Sequence, residues 1–166
     1  RVAWARRMCI RDRPKVARTY RSCKHVAYLP NLCVNERQNS VVAALRFFNQ
    51  IDFYDLKGTY QRSFTYGKEP IVPLLKKNDT QVDVLGTTKC FIDIFGTDQY
   101  VYCLYDGSAD FSNLSTLLVL SWDGQLKKRL NFDRSIKRIA VDPSDRFLVA
   151  LALDESGALD VVKYSI

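Results

Sequence analysis

Two short stretches of this sequence repeat themselves, and the repeats are built from β-strands. Ile51-Asp52-Phe53-Tyr54-Asp55-Leu56-Lys57-Gly58 aligns without gaps on Leu117-Leu118-Val119-Leu120-Ser121-Trp122-Asp123-Gly124, 66 residues later. Ile92-Asp93-Ile94-Phe95-Gly96-Thr97-Asp98-Gln99-Tyr100 aligns on Ile139-Ala140-Val141-Asp142-Pro143-Ser144-Asp145-Arg146-Phe147, 47 residues later. One propeller blade takes roughly 40–50 residues, and no such repeat buries its apolar faces alone. The pattern therefore predicts an all-β chain of consecutive antiparallel units, each leaning on the next.

Three units follow, over approximately 25–67, 88–132 and 135–166. In the first, Val41 to Leu45, Ile51 to Asp55 and Tyr60 to Tyr66 read as strands, with His25 to Val34 as an innermost strand in spite of Pro30. The second has Cys90 to Phe95, Tyr100 to Tyr105, Leu117 to Trp122 and Gln125 to Phe132, the last pair joined by a tight primed turn at Asp123-Gly124. The third has Ile136 to Val141, Phe147 to Leu153 and Leu159 to Ile166, and lacks an outer strand. Together they predict a partial β-propeller of about three antiparallel blades with up to four strands each. Runs such as Leu117-Leu118-Val119-Leu120 and Phe147-Leu148-Val149-Ala150-Leu151 suit central strands covered on both sides. Burying a Leu or Phe contributes roughly 1.5–3 kcal/mol, so each blade depends on a neighbour. A strand from the other end of a longer chain is expected to complete the last blade.

The net charge of +7 invites a nucleic-acid reading until it is located. Nine of the 25 Lys and Arg lie in residues 1–24, against one of the 18 acids, which leaves 16 basic and 17 acidic residues elsewhere. The repeat region is neutral, and no nucleic-acid partner is expected. The head shows no strand or helix periodicity, and Met8-Cys9-Ile10-Arg11-Asp12-Arg13 resembles a translated sequencing adaptor. Residues 1–24 therefore read as a basic non-domain segment and an assembly artefact, ahead of a basic arm or a transit peptide. The first residue is not Met, so an upstream part of the protein is expected. No apolar run reaches the roughly 18–20 residues that span a membrane.

Five cysteines (Cys9, Cys23, Cys33, Cys90, Cys103) have no Cys-x-x-Cys spacing, and the single His25 adds no zinc framework. Cys90 and Cys103 fall in strands as small buried hydrophobes. No Gly-x-Ser-x-Gly elbow is present. No catalytic, cofactor-binding or metal-ligating residue is assigned, and no cofactor is expected.

The run Phe47-Phe48-Asn49-Gln50-Ile51-Asp52-Phe53-Tyr54-Asp55-Leu56-Lys57-Gly58, the hairpin Val119-Leu120-Ser121-Trp122-Asp123-Gly124 and the closing Ile139-Ala140-Val141-Asp142-Pro143-Ser144-Asp145 carry a resemblance. From about His25 onward the chain resembles the TolB-like six-bladed β-propeller proteins of Bacteroidota. That resemblance implies the C-terminal half of a six-bladed wheel and a secreted or lipid-anchored protein of the periplasm or outer surface. No signal peptide or lipid-attachment Cys is present in the chain to support the location, and these motifs are silent on activity.

Alternating strand direction puts Gly67 to Thr88 and Asp106 to Ser115 on one rim, and the tight turns on the other. Long loops on a rigid scaffold are where recognition sits. Tyr105, Asp106, Asp110 and Asn113 are therefore the rim candidates for ligand binding. Asp106 and Asp110, with Ser108 and Asn113, offer oxygens to calcium, but without the regular spacing of a calcium loop. Trp122 reads as a hydrophobic cap, and Lys127-Lys128-Arg129 as a solvated outer face. The favoured function is a non-enzymatic binding propeller of the bacterial envelope, its ligand a protein, peptide or glycan. The alternative is a hydrolase or lyase acting in the central funnel, completed by further blades.

Overall fold

The computed structural model describes residues 24–77, 81–113, 115–154 and 156–166. Residues 1–23, with Cys9 and Cys23 and the readings attached to that head, lie outside the described residues.

A helical turn, α1 (Lys24–Ala27), leads into three antiparallel sheets. The first holds β1 (Pro30–Asn35), β2 (Ser40–Leu45), β3 (Gln50–Tyr54) and β4 (Tyr60–Thr65). The middle sheet holds β5 (Lys89–Gly96), β6 (Tyr100–Ser108), β7 (Thr116–Ser121) and β8 (Leu126–Asn131). The third holds β9 (Ile136–Val141), β10 (Phe147–Leu153) and β11 (Leu159–Ser165). Within each sheet the strands pair in chain order. The innermost strand starts at Pro30 and not at His25, which belongs to α1. A strand's first residue is a position where the missing N–H of proline costs no ladder bond.

The repeated hairpins share one turn. Gly58 N donates to Asp55 O and Gly124 N to Ser121 O, each at 2.9 Å, while Asp55 N and Ser121 N donate to Thr59 O and Gln125 O, each at 3.0 Å. Only the glycines have positive φ, +83° and +82°. This is a type I turn closed by a left-handed glycine. The primed two-residue turn expected at Asp123-Gly124 would need positive φ at Asp123 as well.

The sheets stack through their first strands, with β5 between β1 and β9. Side chains cover the inner edges across each gap. Asn31 Nδ2 donates to Phe91 O (3.0 Å), Arg138 Nη1 to Ile92 O (3.1 Å), and Ile139 N to Asp93 Oδ2 (2.9 Å). Each gap has its own core. Val42, Ile51 and Phe53 meet Cys90, Phe91, Leu118 and Trp122 in one, and Ile92, Leu104 and Leu117 meet Ile136, Leu148 and Ala150 in the other. The buried indole of Trp122 fills a notch at Gly96 and donates from Nε1 to Thr97 O (3.0 Å). A Cβ on residue 96 would stand 2.9 Å from Cζ2 of that ring.

Burial in the three sheets follows from this stacking. All four residues from Leu117 to Leu120 in β7 are buried. In β10 buried and half-buried residues alternate, although its sequence is apolar throughout. The expectation of two-sided cover for Phe147 to Leu151 therefore holds on one face only. On the other face Val149, Leu151 and Leu153 pair with Lys163, Val161 and Leu159, and Val161 is 69% exposed.

Candidate functional site

The connections β2–β3, β4–β5, β6–β7, β8–β9 and β10–β11 gather on one rim, and the remaining turns gather on the other. The longest described connection, between β4 and β5, is held at both ends. Asn49 Nδ2 donates to the carbonyls of Tyr66 and Glu69 (2.9 Å for Glu69), and Asn49 Oδ1 accepts from Ile71 N (2.8 Å). Further along, Leu75 and Val82 form an antiparallel bridge, and Asp83 N donates to Leu74 O (2.8 Å). Leu74 N donates to Thr87 Oγ1 (2.9 Å). Buried Lys89 closes the far end, donating from Nζ to Leu85 O (3.1 Å) and to Ala109 O in the next loop.

This framework sorts the aliphatic residues of the connection by direction. Leu75 and Val82 pack inward on Ala27, Tyr28, Leu45 and Phe48. Val72, Leu74, Val84 and Leu85 stay exposed, Leu85 at 85%. Lys76, Lys77 and Asp83, with Leu75, line an open hollow of about 560 Å³ beside them. The sequence signal for this display is an apolar run, Ile71 to Leu75, interrupted by Pro73 inside a long connection.

The four rim candidates separate. Strand β6 contains Tyr105 as expected and continues to Ser108, so Asp106 stands in a strand and not in a loop. The pairing slips between Lys89 and Phe91, and this irregularity carries the strand past the expected end. Tyr105 is half-buried, edge-on to Tyr66 (4.8 Å between centroids) and Phe91 (5.4 Å). Burial first, and the neighbouring Cys90, Tyr66 and Asp106 after it, push its hydroxyl up to about 12. Asp106 is only 3% exposed, and its Oδ1 accepts from Ser108 N (2.8 Å) and Ser108 Oγ. Asp110 and Asn113 are exposed, as expected of a loop. Asn113 Nδ2 donates to Asp106 O (3.4 Å), while Ser112 holds the Asp110 carboxyl below the ordinary carboxylate range. Bonds through Ser108 and Ser112 link Asp106, Asp110 and Asn113 to one another, while Tyr105 packs on Tyr66 and Phe91. Among the described residues no group of three or more His, Cys, Asp or Glu is placed to hold a metal ion.

Cys90 and Cys103 are buried and Cys33 half-buried, all three as free thiols. Burial pushes Cys33 and Cys90 up to about 12, and Cys103 well above the usual thiol range. None has the depressed thiol that nucleophilic chemistry requires.

The tight-turn rim, where sequence reasoning places nothing, carries two clefts. One of about 460 Å³ lies where the first turns of all three sheets meet, lined by Val34, Asn35, Phe95, Asp98 and Pro143 among others. The Arg37–Asp98 ion pair crosses it. The other, of about 320 Å³, lies between the outer turns of the first and middle sheets.

No protein-family profile matches the sequence. No curated protein matches it either. Among solved structures the chain is similar to a member of the DUF4221 family from Bacteroides vulgatus, with a TM-score of 0.56 at 10% identity. The match covers 84% of this chain and 46% of that protein, so this chain spans less than half its length. The chain is a partial β-propeller. A second similarity, to BamB from Moraxella catarrhalis, has a TM-score of 0.33 at 11% identity and covers 82% of this chain and 43% of that one. At that score it does not bear on the architecture. Among the described residues no helix is long and apolar enough to cross a membrane.

Proposed function

We propose that this chain is the C-terminal part of a non-enzymatic, TolB-like six-bladed propeller of the Bacteroidota cell envelope, lipid-anchored in its full-length form, that binds another protein through its long-loop rim. The observation that carries the reading is the connection between β4 and β5. Among its described residues, backbone and side-chain bonds tie the two arms of this connection together, and Leu74, Val84 and Leu85 stand exposed to solvent. Exposed apolar surface on an ordered loop marks interaction sites. A pre-formed loop also loses little conformational freedom on binding, which favours affinity. Aliphatic side chains suit a protein or peptide surface better than a glycan, which needs directed hydrogen bonds. The resemblance in the hairpin and closing-turn motifs supports the family and the envelope location, and the Bacteroides neighbour agrees with that source.

The test places a photo-crosslinking amino acid at position 85 of the full-length protein in its own bacterium, and at position 61 on the opposite rim. A defined heavier adduct from position 85, found in the envelope fraction and lost with Leu74→Asp, is expected. Adducts only from position 61, or none from 85, overturn the rim assignment. Recovery of the protein in the cytoplasmic fraction overturns the envelope assignment.

A further inference from the structure

We propose that the turn from Asp106 to Asn113, between β6 and β7, is a calcium-binding site of low affinity. This goes beyond the protein-docking reading and does not depend on it. The observation that carries it is a bare carboxylate oxygen in the interior. Asp106 is 3% exposed, and its Oδ2 is buried with no hydrogen-bond partner among the described residues. Buried charges are paired with an opposite charge or coordinate a metal. None of the ion pairs among the described residues includes Asp106 or Asp110.

The chain around that oxygen follows the first half of a calcium loop. With Asp106 as the first position, Ser108 is the third and Asp110 the fifth, the places that supply side-chain oxygens. The sixth is Phe111, whose φ is +62°, where a calcium loop turns sharply on a glycine. The seventh, Ser112, supplies a carbonyl. Asp106 Oδ1 accepts from Ser108 N (2.8 Å) and Ser108 Oγ, which turns the carboxylate toward the loop and leaves Oδ2 as the ligand. Ser112 N donates to both Ser108 Oγ (3.0 Å) and Asp110 Oδ1 (3.2 Å), so those two oxygens stand side by side. The twelve-residue pattern is incomplete in the sequence, with Phe111 in place of the glycine and Leu117 in place of the closing Glu. The positive φ at Phe111 and the buried Oδ2 appear only in the folded chain.

The donor set selects the ion. Two carboxylates, a hydroxyl and a carbonyl are hard oxygens, which suit calcium and not the softer metals that take nitrogen and sulfur. So few protein ligands leave water to complete the shell, and they place the affinity at the weak end of calcium loops. Lys89 and Lys137 lie 5.7 and 4.9 Å from the centroid of the Phe111 ring. Lys89 donates to Leu85 O and Ala109 O, and Lys137 to Ser135 Oγ. Their charge lowers the affinity further, but neither is bonded to a carboxylate of the loop.

Two-dimensional ¹⁵N–¹H spectra of the full chain, recorded at constant ionic strength as CaCl2 is raised to about 10 mM, test this. Saturating shifts over the amides of residues 106–113 are expected, with a Kd of roughly 0.1–1 mM. MgCl2 over the same range should move them little, because it demands a tighter octahedral shell. Asp110→Asn, at an exposed position, should weaken binding about tenfold by removing a ligand charge. Leu85→Ser, which addresses the docking reading, should leave calcium binding unchanged. Should Asp110→Asn disturb the spectrum as a whole, Ser108→Ala carries the test with a loss of about threefold. Shifts scattered over surface acids, no saturation by about 10 mM, or full-strength binding by the variants overturns the site.

Discussion

The middle and third sheets have similar strand sequences and different surroundings. Strand β7 is closed off on both faces: Leu117 and Val119 face the third sheet, and Leu118 and Leu120 face the first. In β10 Leu148, Ala150 and Ala152 face the middle sheet, while Val149, Leu151 and Leu153 stay half-buried. A propeller blade thus acquires its core from its two neighbours and not from its own fold. The same apolar run is a two-sided core in one sheet and a one-sided core in the next.

The largest effects should come from truncating residues on either face of β7. Leu117→Ala and Leu118→Ala should each cost about 2–5 kcal/mol in urea denaturation, and Leu148→Ala on the covered face of β10 a similar amount. Leu151→Ala, on the other face of β10, should cost about 1 kcal/mol or less. Equal costs at 118 and 151 would erase the distinction between the sheets.

Gly96→Ala sharpens the comparison at the gap between the first and middle sheets. The added methyl meets the Trp122 ring, and a loss of about 1–3 kcal/mol is expected. In a Trp122→Ala background the same change should cost little, because the obstacle is gone. Additive costs would show that the ring does not sit in the notch.

The gap between the middle and third sheets depends on a polar stitch. Asp93 accepts from Ile139 N and stands 3.6 Å from Arg138. Asp93→Ala should cost about 1–3 kcal/mol by leaving the Ile139 N–H unpaired, and Asp93→Asn, which keeps an acceptor, should cost less. Iodoacetamide at about pH 8 should leave Cys33, Cys90 and Cys103 unmodified in the native protein and label all three after unfolding, as read by peptide mapping. Labelling of native Cys90 or Cys103 would mean that the first gap opens readily.

Acid should act most weakly. Tyr164 Oη donates to Asp133 Oδ1 (2.9 Å), and that bond is the main cause of the depressed Asp133 carboxyl; Ser144 and Ser156 do the same for Asp142 and Asp154. A depressed folded pKa contributes stability that is complete above the unfolded value of about 3.9 and is lost as pH falls through the folded one. Fluorescence of the tyrosines and tryptophans should therefore report loosening below about pH 4, and none between pH 5 and 7 from these groups.

The strands are legible in the sequence because short apolar and β-branched runs bounded by turn residues, together with the repeated hairpins, mark them directly. The repeat also places the two Gly turns at 58 and 124, but not their type. Turn type depends on φ at Asp123, which no residue pattern reveals. Asp106 reads as a loop acid because Asp-Gly-Ser favours turns. Its burial goes with the continuation of β6 to Ser108, which pairs with Lys89, a tertiary contact no local pattern marks. Trp122 reads correctly as a cap, but its notch is hidden, since Gly96 looks like a turn residue alone. The Arg62 arm across to Asp123 joins residues 61 positions apart and leaves no local mark.

Amide hydrogen exchange resolved by strand tests the stacking most directly. The slowest amides should lie in β6 and β7, over Val101–Leu104 and Leu117–Leu120, with β10 and β11 exchanging well before them. Protection in β10 and β11 equal to that of β7 would contradict the account, because it would mean that a blade needs no neighbour on its second face.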